Sequence, residues 1–222
     1  MSNFKKILVG AVFAATAALG ATAANAAVVL TSYSSFQDTL NAYETLVTNF
    51  GAPLAFAPGW GISGTYAILN GTSSSGAAPK YAIGVDPTDY LSVKKNQTAT
   101  ITGPGARNMS FYIGSLDDYN TITFYTVGGG VYSFTGTQLG LVSGASDGNR
   151  TAPVTNGRFT FVTDPTDLIT SVALASSENS FEVSNIGSAV PEPATWAMMI
   201  IGFGGVGSML RSSRRKQAAA FA

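Results

Sequence analysis

The chain has 222 residues, 12 basic and 12 acidic, with no histidine and no cysteine. Those two absences exclude Ser-His-Asp and Cys-His nucleophile systems, disulfide scaffolds and His- or Cys-ligated zinc or copper. Residues 27–190 keep six basic and eleven acidic residues, a net charge of −5, and this argues against nucleic-acid binding.

The chain opens with a charged pair, Lys5 and Lys6, followed by an apolar run from Ile7 to Leu19 and the small-residue triplet Ala24-Asn25-Ala26. This is the pattern of a secretory signal helix cut by signal peptidase after Ala26. Residues 27–189 then form the exported part, one domain long enough to bury roughly 70% of its unfolded surface. Without disulfides, it must be held by core packing.

Within that domain Ser34–Tyr43 carries Phe36, Leu40 and Tyr43 at helical spacing, with Ser35 and Asp38 as a weak capping box, so a helix is expected there. Everything after it reads as strand. Short runs rich in Thr, Val, Ile, Tyr and Phe alternate with Gly, Asn, Asp and Pro. The expected strands are Leu46–Phe50, Tyr66–Leu69, Tyr90–Val93, Thr98–Thr102, Asn108–Ile113, Asn120–Val127, Val131–Thr135, Gly157–Thr163, Ile169–Ala175 and Phe181–Val183. Gly128-Gly129-Gly130 joins two of them as a hairpin, with Asn120, Ile122, Phe124 and Thr126 on one face. About ten strands at this spacing predict an all-β fold, a single β-sandwich of jelly-roll-like order.

Chemistry in this domain would rest on carboxylates. A glycosidase needs two of them flanking the scissile bond. The domain has three glutamates, Glu44, Glu178 and Glu182, and the adjacent pair Asp117-Asp118. No motif positions a catalytic pair, so no catalytic residue is assigned. Asp and Asn between strands also build turns. The sequence demands no cofactor. The metal its loops would suit is a structural Ca²⁺, at Asp117, Asp118 and Asn120, at Asp86 with Asp89, or at Asp164 with Asp167. Sugar binding would need exposed aromatics. Trp60, between Gly59 and Gly61, is the first candidate; Tyr66, Tyr112, Tyr119, Tyr125 and Tyr132 are further material.

Residues 190–216 have three parts. Pro191-Glu192-Pro193 is extended and accessible, because each proline fixes φ and lacks an N–H. Residues 194–210 are apolar and, as a helix, would span about 25 Å at ~1.5 Å per residue, slightly short of a ~30 Å bilayer core. Trp196 falls at an interfacial position, and Arg211, Arg214, Arg215 and Lys216 form a basic stop cluster that stays cytoplasmic. Residues 217–222 follow as a short tail. Gly202-Phe203-Gly204-Gly205-Val206-Gly207 matches G-x-G-x-x-G by letter, but no strand precedes it and no acid follows, so small residues packing in a membrane helix explain it better.

This segment resembles the PEP-CTERM sorting signal in its PEPxxWA form, which Pro191, Glu192, Pro193, Trp196 and Ala197 match in order. The resemblance implies processing by an exosortase after insertion in the inner membrane, and delivery to the cell surface or exopolysaccharide matrix. Phe111-Tyr112-Ile113-Gly114-Ser115-Leu116-Asp117-Asp118-Tyr119-Asn120 also resembles a segment recurring in one group of these proteins. That group ends F-E-x-D-N, and Ser184 here replaces its Asp. The expectation is a non-enzymatic structural or adhesive protein. A carbohydrate-binding module of the matrix is the first rival, and a carboxylate-dependent glycosidase the second.

Overall fold

A computed structural model describes residues 27–73, 76–81, 84–85, 89–189 and 200–204. The signal segment, Asp86, the Pro-Glu-Pro motif with Trp196 and Ala197, and the basic cluster lie outside the described residues. In chain order the strands are β1 (Val29–Ser35), β2 (Thr45–Thr48), β3 (Gly61–Gly64), β4 (Ala67–Leu69), β5 (Lys80–Tyr81), β6 (Gly84–Val85), β7 (Tyr90–Val93), β8 (Gln97–Ala106), β9 (Asn108–Gly114), β10 (Asn120–Thr126) and β11 (Val131–Thr135). A helix, α1 (Gly136–Ser143), precedes β12 (Gly157–Val162), β13 (Ile169–Ser176) and β14 (Phe181–Ala189).

The fold is all-β. One antiparallel sheet has the order β1-β12-β9-β14-β7-β4, with β2 also paired to β14; the other has the order β11-β10-β13-β8-β3. They pack face to face as a sandwich. Phe124 of the second sheet meets Phe111 and Phe161 of the first at ring-centroid distances of 6.0 and 4.6 Å, and Phe134 meets Phe161 at 5.1 Å. Ile101, Val172 and Leu174 complete the inner layer opposite Leu91, Val93 and Val183.

The two sheets differ in how wet they are. In the five-stranded sheet one face is core and the other is solvent, so β10 alternates, with Asn120, Ile122, Phe124 and Thr126 buried as the hairpin pattern predicts. Its outer face carries cross-strand rows of small side chains. Thr121, Ala175 and Thr98 form one row, and Ser133, Thr123, Ala173, Thr100 and Ser63 the next. In the seven-stranded sheet β9 and β12 are buried on both faces, because loops cover the outside. Arg158, 1% exposed, pins one of them. It donates to the Ser110 hydroxyl at 2.8 Å, to the Asp38 carbonyl at 2.6 Å and to the Asn185 side chain.

The loop held by Arg158 is where a helix was expected over Ser34–Tyr43. The structure corrects this. β1 runs through Ser35 and pairs with β12, with Tyr33 against Phe159 at 4.7 Å. Phe36 and Tyr43 have left-handed φ values of 53° and 71°, which no helix tolerates. Strand pairing and ring packing outweigh a weak local helical pattern. The helix that does form, α1, follows β11. It has a full capping box between Thr135 and Gln138 and a left-handed C-cap at Gly144.

Register also fixes the two ends of the sandwich. Val29, Val162, Asn108 and Ala189 lie in one row. Ala106, Ile169 and Thr126 lie at the same end of the other sheet, joined to β9 through Arg107. At the far end are Gly114, Phe181 and Val93, with Asn120, Ser176 and Gln97.

Candidate functional site at the far end of the sandwich

The loops at the far end bring five of the domain's eleven acidic side chains together: Asp117, Asp118, Asp147, Glu178 and Glu182. The β9–β10 connection supplies Asp117, Asp118 and Tyr119. The loop after α1 supplies Asp147, Gly148 and Arg150, and the β13–β14 turn supplies Asn179 and Ser180. Asp117 and Asp147 meet as an isolated antiparallel bridge. Asn156, 1% exposed, ties the assembly together. Its carbonyl oxygen accepts from the Lys80 and Ser115 N–H groups at 3.2 and 3.1 Å, and its amide donates to the Asn149 and Ala152 carbonyls.

Two cavities result. The first, about 130 Å³, is lined by Ser115, Asp117, Asp147, Arg150, Ser180 and Glu182, among others. At its floor Glu182 is 3% exposed. Its Oε1 accepts from the Ala77 N–H at 3.1 Å and the Ser180 hydroxyl at 2.5 Å, and its Oε2 from the Ser115 hydroxyl at 3.1 Å. Burial pushes its carboxyl up to about 7 against the opposing effect of those donors. Burial also raises Asp117, helped by Asp118 and Asp147 and opposed by Tyr119 and Arg150.

The second is an open groove of about 560 Å³, lined by Asn96, Gln97, Thr98, Asp118, Tyr119, Thr121 and residues 175–177. It runs directly into the hydroxyl-bearing sheet face, since Thr98, Ala175 and Thr121 belong to both. Tyr119 borders both cavities, and its hydroxyl donates to the Asn179 carbonyl at 2.6 Å. Burial, then the Asp117 carboxylate, raises its phenol.

The residues singled out from sequence are thus distributed. Asp117 lines the small cavity and Asp118 the groove. Asn120 is buried, and both ends of its amide are spent: Oδ1 accepts from the Asp117 N–H at 2.9 Å, and Nδ2 donates to Ser176 and the Ser180 carbonyl. Trp60 lies elsewhere and is half-buried against the core, its ring seated where a Cβ on Gly103 would come within 2.3 Å. Asp164 and Asp167 act as turn acceptors for Thr166 and for Gly128 and Leu168. Among the described residues no group of three or more histidine, cysteine, aspartate or glutamate side chains is arranged to hold a metal ion. Glu182 and Asn156 were not singled out as site residues, since the contacts that seat them there, with Ala77 and Ser115, cross 105 and 41 residues of chain.

Compared with known protein families, residues 189–216 match the PEP-CTERM protein-sorting motif. The chain carries a PEP-CTERM sorting signal. That signal implies an exported, exosortase-sorted protein. Among the described residues no helix is long and apolar enough to cross a membrane; within the signal, Ile200–Gly204 is helical and exposed. No curated protein matches the PEP-CTERM chain. Among solved structures it is similar to the family 11 carbohydrate-binding module of cellulosomal cellulase Lic26A-Cel5E of Clostridium thermocellum. The identity is 11% and the TM-score 0.23, over 69% of this chain and 99% of that one.

Proposed function

We propose that this PEP-CTERM protein is a non-catalytic structural or adhesive component of the cell surface or exopolysaccharide matrix, and that it contacts polysaccharide through the groove of Asn96, Gln97, Asp118, Tyr119 and Thr121. In this reading the apolar run 194–210 anchors the chain in the inner membrane until the exosortase acts, and signal peptidase removes residues 1–26. The observation that carries the polysaccharide contact is the continuity of the groove with an uncharged sheet face of Thr, Ser and Ala. Side chains of this kind exchange hydrogen bonds with sugar hydroxyls without burying a charge. The jelly-roll-like sandwich expected from sequence would hold such a face rigid.

The glycosidase reading draws on one specific observation, a raised acid at Glu182 sharing a cavity with Asp117. Two facts weigh against it. About 130 Å³ is well below the ~300–1,000 Å³ of ordinary ligand pockets, and the Glu182 oxygens are engaged by three internal donors.

The test is affinity electrophoresis of the processed protein through gels containing the host's own exopolysaccharide. Retardation is expected, and Ala175→Arg, which fills the groove from a half-exposed position, should abolish it. Equal retardation of both proteins would remove the groove from the proposal.

A further inference from the structure

The end of the sandwich opposite the cavities has a different surface. Val127 and Val131, at the tip of the β10–β11 hairpin, are 67% and 60% exposed. Val29, in the same row as Ala189, is 49% exposed, and Leu46, paired with Gly187, is 44% exposed. Tyr43, in the turn leading into Thr45, is 96% exposed. Thr45 pairs with Ser188. Tyr43 is held in its left-handed conformation by an anchored turn. The Asn41 N–H and the Ser110 hydroxyl both donate to Glu44 Oε2, at 2.9 and 2.7 Å, and the Asn41 amide donates to Thr160. A tyrosine kept outside the core at such a backbone cost points to use at the surface. Arg107 faces Asp164 at this end, while the Glu44 and Asp167 carboxylates there are turned inward onto Asn41 and Ser110 and onto Gly128 and Leu168.

The sorting signal leaves from this same end, because β14 finishes there at Ala189. Trp196 is only seven positions beyond Ala189, a reach of at most about 25 Å at ~3.6 Å per residue. The carboxylates Asp117, Asp118, Asp147, Glu178 and Glu182 sit at the other end, about 20 Å away along a seven-residue strand at ~3.3 Å per residue. That exceeds the ~8–10 Å over which charge is felt in physiological salt.

We propose that the end of the domain bearing Val29, Tyr43, Leu46, Val127 and Val131 is a membrane-facing surface. It rests on the outer leaflet of the bilayer before the signal is cut, so that the groove and the acidic cavity point away. Aliphatic side chains and a tyrosine at headgroup level suit that interface. The acidic end, placed here, would be repelled by anionic lipid. Cleavage after the domain then frees a surface whose contact was maintained by a short tether, consistent with release. The proposal rests on the reading that the signal holds the unprocessed chain in the membrane.

Because the chain has no cysteine, single labels are unambiguous. Full-length Tyr43→Cys, Val127→Cys, Asn96→Cys and Phe203→Cys, each carrying an environment-sensitive fluorophore, are reconstituted in phosphatidylethanolamine–phosphatidylglycerol vesicles with and without nitroxide-bearing lipid. Expected are blue-shifted, lipid-quenched emission at 43 and 127, full quenching at 203, and none at 96. Quenching at 203 with none at 43 and 127 overturns the surface while leaving the anchor intact. Absence of quenching at 203 overturns the anchor beneath it. Protection at 43 and 127 that appears only when exosortase is co-reconstituted overturns the lipid contact and assigns this end to the enzyme.

Discussion

Asp117 and Asp118 are neighbours in the chain, yet Asp117 lines the enclosed cavity above Glu182 and Asp118 lines the open groove beside Thr121. The β9–β10 turn sends the two carboxylates to different surfaces. Their substitutions should therefore separate cleanly. Asp118→Ala is expected to weaken polysaccharide retention severalfold, in line with the ~1 kcal/mol or more lost when an interface contact is truncated, with little change in stability. Asp117→Asn should leave retention unchanged. Affinity electrophoresis beside urea denaturation reads both.

The pH dependence of stability should run against the usual carboxylate pattern. The folded carboxyl of Glu182 is raised to about 7 from 4.5. Below the unfolded value both states bind the proton, and the stability tied to this group is fully present. Between the two values only the folded state keeps the proton, so stability falls as pH rises, by about 3 kcal/mol across the window. Asp164, lowered by the Thr166 N–H and hydroxyl, acts in the opposite sense, and only at more acid pH. Urea midpoints should therefore decline from pH 4.5 to 7 in the native protein, and Glu182→Gln should flatten the slope. A native profile that climbs over this range would contradict the assignment.

Gly148 should be costly to replace. Its φ is +67°, and an added Cβ would lie 2.1 Å from Asp117 Oδ1. Gly148→Ala is expected to lose the ~1–2 kcal/mol of a left-handed non-glycine residue plus the displacement of Asp117. Gly71→Ala, with a φ of +70° but open space around it, should lose only the first part. At about 2–4 °C per kcal/mol for a domain of this size, thermal melts resolve the difference.

Arg158→Ala should destabilise the domain by about 3 kcal/mol, since it strips the Ser110, Asp38 and Asn185 oxygens of their buried donor. Arg158→Lys should recover little, because an ammonium cannot reach Ser110, Asp38 and Asn185 together as the guanidinium fork does. Denaturant midpoints for the two variants check this; recovery by Lys would show that charge alone suffices.

The sorting assignment has its own readout in the intact mass of protein from the surface or matrix fraction. The expected mass lacks residues 1–26 and the segment after the Pro-Glu-Pro motif. A mass extending to Ala222 would leave the chain a plain membrane protein.

What the sequence determined by itself was whatever depends on neighbours in the chain. The C-terminal sorting signal is a linear pattern read by another protein, so no fold is needed to see it, and residues 189–216 match its family on those letters. The absence of His and Cys bounded the chemistry outright. The β10–β11 hairpin was legible because one face of its sheet is core and the other water, which forces alternation. The seven-stranded sheet was less legible: β14 extends to Ala189, beyond the Val183 expected, because it is buried on both faces and the period is erased, and the helix expected over Ser34–Tyr43 gives way to the end of β1 and a loop held by long-range contacts. α1 had a readable signal in Thr135 and Gln138, obscured by its glycines. Only the tertiary structure decided that Glu182 is enclosed by Ala77 and Ser115, that Asp117 and Asp118 part company, and that the sorting signal departs from the apolar end of the sandwich. Each of these is set by antiparallel pairing between segments far apart in the chain, whose register depends on the packing of the whole core.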